Sequence, residues 1–541
     1  MSTRRAAVGA ASGLVLLTLG AGQFLMTLDS SVMNVSMATV AEDLGTSITG
    51  IQTAITMYTL VMASLMITGG KIGSNIGRRN AFAIGCVIYA IGSFITGLSQ
   101  NLTTLLIGWS LLEGIGAALI MPAIVGLVAT NFQAKERPRA YGLIAAAGAI
   151  AVALGPLIGG AATTYLSWRW VFFSESIIVA VILLLSRRIA DAPVESKKPL
   201  DFIGTLLSVA GLGLAVYGVL RTSEWGWINP KADGPSIAGL SPSFWLILVG
   251  SMIVWLFFQW EHRVLAAGRE PLVRADIFAS RQLNGGLIMF FFQFLLQSGV
   301  FFVIPLYLSV VLELSAIDTG IRLMPLSISL LLAAVAIPKL WPMVSPRRVV
   351  RIGVTLMLLG ILALLAGIDI NSTAAVVALP LTLLGLGMGS LASQLGSVTV
   401  SGVSDERSGE VGGLQNTATN LGASLGTALA GSILIAVLTG SLIAGIQSNE
   451  QVPESVQQQA GVELASGVPF LSDTQLEAAM LEAGASPEVT DAVVMENQAA
   501  RVQGLDAALG VLAILAMASL VFTSRIPEVQ PGSSQVKPVA A

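Results

Sequence analysis

IQTAITMYTLVMASLMITGG, residues 51–70, runs into KIGSNIGRRN, residues 71–80, and then into AFAIGCVIYAIGSFITGLS, residues 81–99. Two apolar runs flank a short turn that holds Lys71, Arg78 and Arg79. About 20 apolar residues wound as a helix cross roughly 30 Å of hydrocarbon. The passage therefore reads as two membrane crossings joined by a basic loop. The same alternation continues outward in both directions. Basic residues gather at Arg4-Arg5, at Lys135 to Arg139, at Arg187-Arg188 with Lys197-Lys198, at Arg263 to Arg281, at Lys339 with Arg347-Arg348, and at Arg407. The loops between these clusters carry few basic residues. Positive loops stay on the cytoplasmic side of a membrane. The pattern predicts about fourteen spans in a cell (inner or plasma) membrane, with both termini cytoplasmic.

Composition agrees. Apolar residues make up 54% of the 541 and charged residues 11%, where a soluble domain has about 25% charged. Lipid is the expected solvent for most of the chain. A net charge of −3 says little about partners, and no basic tract is long enough for nucleic acid. Cys86 is the sole cysteine and lies in an apolar run; His262 is the sole histidine and lies at a helix end. Neither a disulfide nor a thiolate or histidine metal site is expected. The phosphate-binding G-x-x-x-x-G-K-[ST] loop is absent, and no His, Cys and carboxylate constellation suggests an enzyme. No cofactor is expected, and an ion gradient is the remaining energy source.

The expected spans are 13–35, 51–72, 81–99, 103–130, 140–163, 167–186, 202–221, 243–261, 284–310, 318–340, 348–368, 374–401, 410–440 and 505–524. The first is too long for a signal peptide. Lipid allows only helices or closed barrels, and unbroken apolar runs such as Leu356 to Leu359 and Ile361 to Ala366 exclude the alternation of barrel strands. The fold class is an all-α polytopic membrane protein. After a cytoplasmic segment 1–12 come a six-helix bundle 13–186, two extra helices with linkers 187–283, and a second six-helix bundle 284–524. A loose internal echo supports two halves: the Lys71 to Arg79 turn recurs as Lys339 to Arg348, as paired repeats do in secondary transporters. Within the second bundle, 441–504 is acidic and polar, with Arg501 its one base. It reads as an extracytoplasmic hairpin, either solvated or docking a partner. Ser472-Asp-Thr-Gln-Leu-Glu477 suggests a capped helix there. Residues 525–541 read as a disordered cytoplasmic tail.

Several segments resemble the major facilitator superfamily, in particular its fourteen-helix drug:proton antiporter branch. Leu28-Asp29-Ser30-Ser31-Val32-Met33-Asn34-Val35 is similar to that branch's L-D-x-T-V-V-N-V signature. Gly70-Lys-Ile-Gly73-Ser74-Asn75-Ile-Gly77-Arg78-Arg79 resembles the loop G-x-L-A-D-R-x-G-R-K. Gly155-Pro156-Leu-Ile-Gly159-Gly160 is similar to the antiporter motif, followed by Trp168-Arg169-Trp170-Val-Phe172-Phe173. Glu224-Trp225-Gly226-Trp227 and Pro271-Leu272 also look like this branch. The resemblance implies a major facilitator fold of two six-helix bundles plus two central helices. It also implies Gly70, Gly73, Gly77, Arg78 and Arg79 as a conformational gate. Three departures stand out. Ser74 and Asn75 replace the loop's usual aspartate and arginine, so another acid must serve the gate. Ser110 and Glu113 replace the arginine and glutamine of R-x-x-Q-G-x-G-A-A. Glu175 replaces the asparagine of F-F-I-N-V-P.

Elementary electrostatics selects the same positions. An acid at the bilayer centre costs several kcal/mol unless it is paired, neutral or facing water. Asp29 and Glu113 lie deep within spans one and four, and Glu175 lies in span six. Desolvation favours the neutral form of a carboxyl and a cation favours the ionised form, so proton and cationic substrate would compete at one group. The plainer readings are a structural Asp29 bonded to Thr27, Ser30 or a neighbouring helix, a water-exposed Glu113, and a Glu175 that pairs with Arg169. Arg322 reads as an anchor or a partner for an acid. Proline kinks a helix and glycine allows close approach, so Gly155, Pro156, Gly159 and Gly160 would form a packed helix at the seam between the halves. Asn34, Gln293, Gln297, Gln394, Gln415, Asn416 and Asn420 are candidate substrate-cavity amides, with aromatics around span nine. The expected function is proton-coupled export of amphipathic or cationic small molecules, of the multidrug-efflux type. The expected partners are a lipophilic substrate, protons and membrane lipid. An exporter of an endogenous lipid, cell-wall precursor or metabolite is the alternative, and a non-transporting scaffold or sensor the third.

Overall fold

Span three shows how these helices are written. Ile84, Val87, Ile91, Phe94 and Leu98 recur every three or four residues and are all exposed. Gly85, Tyr89, Gly92, Ser93 and Thr96, on the other face, are all buried. The apolar stripe faces outward and the small and polar stripe inward, the reverse of a soluble helix, as expected where lipid is the solvent.

The computed structural model describes residues 2–46, 48–191, 201–231, 234–369, 372–404, 407–454, 457 and 471–531. The Lys197-Lys198 cluster, Glu463 and the tail beyond 531 lie outside them, as do the side chains of Asn34 and Pro156. Among the described residues, fourteen helices are long and apolar enough to cross a membrane. Spans one to six are Gly13–Met33, Thr53–Ile76, Arg78–Gly97, Leu102–Asn131, Arg137–Thr163 and Arg169–Ser186. Spans seven and eight are Phe202–Leu220 and Pro242–Ala266. Spans nine to fourteen are Arg281–Val311, Ile317–Leu340, Pro346–Gly367, Ala374–Val400, Glu410–Ser448 and Pro487–Arg525.

The two halves meet reciprocally. Span two, second in its half, packs on span thirteen, fifth in the other. Span five packs in turn on span ten, the second of the other half. The extra helices pack on each other, and span seven sits against spans two and thirteen beside the seam. Near the face carrying the basic loops, here the basic face, the seam is shut by small residues. A Cβ on Gly412 would lie 2.9 Å from the Pro122 carbonyl, and one on Gly413 would lie 2.9 Å from the Met66 carbonyl. A Cβ on Gly396 would lie 2.7 Å from the Tyr141 ring. Only glycine allows such backbone approach.

Two segments differ from the expectation. The helices of spans thirteen and fourteen, Ser408–Ser448 and Pro487–Phe522, hold 41 and 36 residues. At 1.5 Å per residue each is about 55–60 Å long, well beyond the hydrocarbon. Both run on into the polar stretch, and its polar composition hid them because helix outside lipid needs no apolar run. The capped outer helix Asp473–Glu482 does form, with a reciprocal capping box between Ser472 and Gln475. Arg501, fully buried, ties this region to span nine through Asp473 and the carbonyls of Leu471 and Val310. The start of the tail is packed rather than disordered. Ile526 is fully buried, Arg347 holds the carbonyls of Ile526 and Pro527, and Gln530 bonds Gln394 and the Val344 carbonyl. One apolar side chain and five polar contacts, the fifth an ion pair between Arg347 and Glu528, hold the segment.

Candidate functional site

Three acids from three helices converge inside the first half. Asp29 of span one, Glu113 of span four and Glu175 of span six are 0%, 0% and 1% exposed. One carboxylate oxygen from each lies within 4.8 Å of the others. The local sequence explains the convergence. Spans three and four touch through glycines: a Cβ on Gly92 would fall 2.7 Å from the Gly108 carbonyl and 2.8 Å from Glu113 Cγ, and one on Gly116 would fall 2.8 Å from the Tyr89 backbone nitrogen. Span four also winds as a π-helix over Leu106–Glu113. Such wide turns shift side chains around the axis and recur at functional sites; here the turn ends on Glu113.

The donors around the acids are neutral. Trp109 Nε1 donates to Asp29 Oδ1 at 2.8 Å, and its ring stacks on Tyr58 at 4.9 Å. Thr96 Oγ1 lies 2.9 Å from Glu113 Oε1. Ser93 Oγ lies 3.1 Å and Tyr89 Oη 3.5 Å from Glu175 Oε2. Among the described residues no basic side chain bonds any of the three acids. Arg169 does not serve Glu175: it pairs with Asp43 at 2.6 Å and holds the Ser99 carbonyl. Trp168 Nε1 shares the same Asp43 carboxylate, and the two bonds hold it below the usual carboxylate range.

A magnitude decides the charge state. Two like charges 4.8 Å apart repel by about 3–4 kcal/mol at an effective dielectric of about 20. Three such pairs reach about 10 kcal/mol before any desolvation, comparable to the whole stability of a domain, about 5–15 kcal/mol. The triad is therefore fully ionised in this closed interior only with a cation bound; otherwise it holds protons.

The expected gate divides into two parts. Arg78 and Arg79 donate their backbone N–H groups, at 3.1 Å each, to Asp191 just after span six. The Arg78 guanidinium reaches the Gly126 carbonyl and Thr130, and that of Arg79 the Ile189 carbonyl. Gly77 turns there with φ 94°, a conformation glycine tolerates best. All of these partners lie in the first half or in the few residues that follow its last span. The crossing to the second half is made by Lys71, which sits 3.1 Å from Glu410 at the start of span thirteen and 3.3 Å from Glu270 after span eight. Gly70 and Gly73 flank it on the same helix. Sequence reasoning counted Lys71 only as a loop base, and no local pattern connects positions 71 and 410.

Gly155 and Gly159 abut Ser31 and Val32 of span one, within their own half, and Gly160 faces open space. At the seam it is Gly142 of span five that meets the Ala334 carbonyl. The amides scatter. Gln394 is engaged by Gln530 and Ser393 near the basic face. Asn416 and Asn420 bond carbonyls of their own helix. Gln293 and Gln415 are buried with Oε1 unpartnered, and Gln297 is half-buried. Arg322 is exposed.

Fourteen spans, two six-helix halves meeting reciprocally, and buried acids within one half define a polytopic membrane protein of the transporter type. The chain belongs to the Major Facilitator Superfamily, whose family model matches residues 19–427. It is 29% identical over 427 residues to the puromycin resistance protein pur8 of Streptomyces alboniger, covering 78% of this chain and 81% of that protein. It is 27% identical over 519 residues to the drug efflux pump JefA of Mycobacterium tuberculosis, covering 94% and 96%. It is 26% identical over 461 residues to the tetracenomycin C resistance and export protein of Streptomyces glaucescens, covering 84% and 81%. The fold is shared with the human organic anion transporter MFSD10, at a TM-score of 0.56 and 14% identity over 95% of this chain and 98% of that one.

Proposed function

We propose that the protein is a proton-coupled exporter of amphipathic or cationic small molecules, with its basic face toward the cytoplasm. The carrying observation is the triad: three carboxyls within 4.8 Å, buried, with neutral donors only. A balanced ion pair would have no reason to titrate. An unbalanced acid cluster exchanges protons whenever water or a cation reaches it. Asp29, Glu113 and Glu175 are the coupling groups in this reading. Lys71, with Glu410 and Glu270, is the latch that holds the halves together on the cytoplasmic side, and Arg78, Arg79 and Asp191 brace the end of span three. Efflux and resistance are the activities named for the relatives, and the chain spans most of each. A single endogenous compound as cargo is the second reading, favoured by a relative named for export of one compound.

The test is resistance. Expression in a pump-deficient bacterial host should raise the tolerated concentration of ethidium or tetraphenylphosphonium several-fold. A proton uncoupler should erase the gain in washed cells loaded with dye. Dye efflux that survives the uncoupler would refute proton coupling.

A further inference from the structure

Each acid of the triad has one oxygen with a hydrogen-bond partner and one without. Asp29 Oδ1, Glu113 Oε1 and Glu175 Oε2 are partnered; Asp29 Oδ2, Glu113 Oε2 and Glu175 Oε1 are buried alone. The partners differ in kind. Trp109 Nε1–H can only donate, so Asp29 keeps this bond when ionised, and the bond is then charge-assisted and stronger. The two glutamates instead meet hydroxyls that have a second contact. Thr96 Oγ1 is 2.9 Å from the Gly92 carbonyl as well as from Glu113. Ser93 Oγ is 3.1 Å from the Phe172 carbonyl as well as from Glu175. A hydroxyl has one proton to give and lone pairs to receive. With the carboxyl protonated, each contact has its own proton: the hydroxyl gives to the carbonyl and the carboxyl gives to the hydroxyl. With the carboxyl ionised, carbonyl and carboxylate compete for one hydroxyl proton, so of three acids that repel one another the two glutamates are those whose contacts a proton completes.

The other titratable groups facing the cluster are phenols. Tyr89 of span three reaches Glu175, and Tyr58 of span two, 2% exposed and without a hydrogen-bond partner, stands beside Asp29 on the Trp109 ring. Span five, which packs on span one, has its charged residues Arg137 and Arg139 at the basic-face end. Arg169 of span six is taken by Asp43.

We infer that, with the basic face closed, Glu113 and Glu175 each hold a proton while Asp29 is ionised. The cluster is a two-proton load carrying one negative charge. Its consequence for transport rests on the antiport reading above: a turnover that discharges both glutamates moves two protons, against one for an arrangement with Asp29 alone.

Infrared spectroscopy of the purified full-length protein in lipid nanodiscs reads this directly, because a protonated carboxyl absorbs apart from a carboxylate. At neutral pH, Glu113→Gln and Glu175→Gln should each remove one protonated-carboxyl band, and Asp29→Asn should remove none. Bands that persist through both glutamine variants, or one that vanishes with Asp29→Asn, would overturn the assignment. Should a glutamine variant fail to fold, Thr96→Val and Ser93→Ala serve instead. Each should shift the band of its own glutamate, and no shift in either would count against the inference. These spectra need no transported compound, so they report proton placement even where no compound moves protons.

Discussion

Among the described residues, a group of one base with two acids, buried except for the half-buried Glu270, and a buried group of three acids are built on opposite plans. Lys71, Glu270 and Glu410 place one base between two acids, with contacts of 3.1 and 3.3 Å. Asp29, Glu113 and Glu175 place three acids together with neutral donors. The first group joins segments from both halves; the second lies wholly within the first. A compensated cluster fixes geometry, since breaking one side strands the other charge. An uncompensated cluster stays open to protons and cations. Holding and coupling are thus separated in space, and each can be disturbed without the other.

The largest expected effect comes from the uncompensated cluster. Asp29→Asn removes the acid that faces a pure donor, and substrate-driven proton flux should fall to the level of protein-free vesicles while expression and folding are kept. Retention of most of the flux would leave coupling to the two glutamates and remove Asp29 from it. Next is the latch. Breaking a buried pair from one side costs about 3–5 kcal/mol, and Glu270 should retain part of that, so about 1–3 kcal/mol is expected for Glu410→Gln. A cysteine at Val125, which lies against Gly412 at the seam, in a Cys86→Ala background should then be alkylated several-fold faster. Unchanged alkylation would mean that the glycine contacts alone hold the seam.

Packing gives a smaller effect. Gly92→Ala drives a methyl into Glu113 and the Gly108 carbonyl, at about 1–3 kcal/mol, and the unfolding midpoint in detergent should drop. Gly160→Ala, which meets open space, should leave it unchanged. The smallest is at the far end of span nine. Glu313 accepts the backbone and hydroxyl protons of Thr474 at 3.0 and 2.8–2.9 Å, and those bonds hold its carboxyl below the usual range. A lowered value means that the docking is fully present above the ordinary glutamate value, about 4.3, and is lost as pH falls through the lowered one. Protection factors for amide exchange over 473–482 should therefore be flat from neutral pH down to the ordinary value and fall only below it. Glu313→Gln should remove that acid-side step.

The sequence made the spans legible because lipid imposes a long apolar run on each of them. It also made the three acids stand out, because charge in such a run is costly. It did not show that Glu175 joins the other two. Arg169 six residues earlier offered a local partner, and only the packing, with Asp43 holding Arg169, frees Glu175 for Ser93 and Tyr89. The π-helix that ends at Glu113 leaves no mark in the residues Leu106 to Glu113. The latch is invisible for another reason: its partners are 339 residues apart, and each looks like an ordinary charge at a loop.

The most direct test of the account reconstitutes purified protein in liposomes with a pH-sensitive dye inside and an imposed pH gradient. Ethidium and tetraphenylphosphonium are added to wild type, Asp29→Asn and the Glu113→Gln/Glu175→Gln pair. Compound-triggered proton movement is expected in wild type, none in Asp29→Asn, and fewer protons per compound moved in the double variant. Proton movement of equal size in all three would contradict it, because the triad would then have no part in coupling.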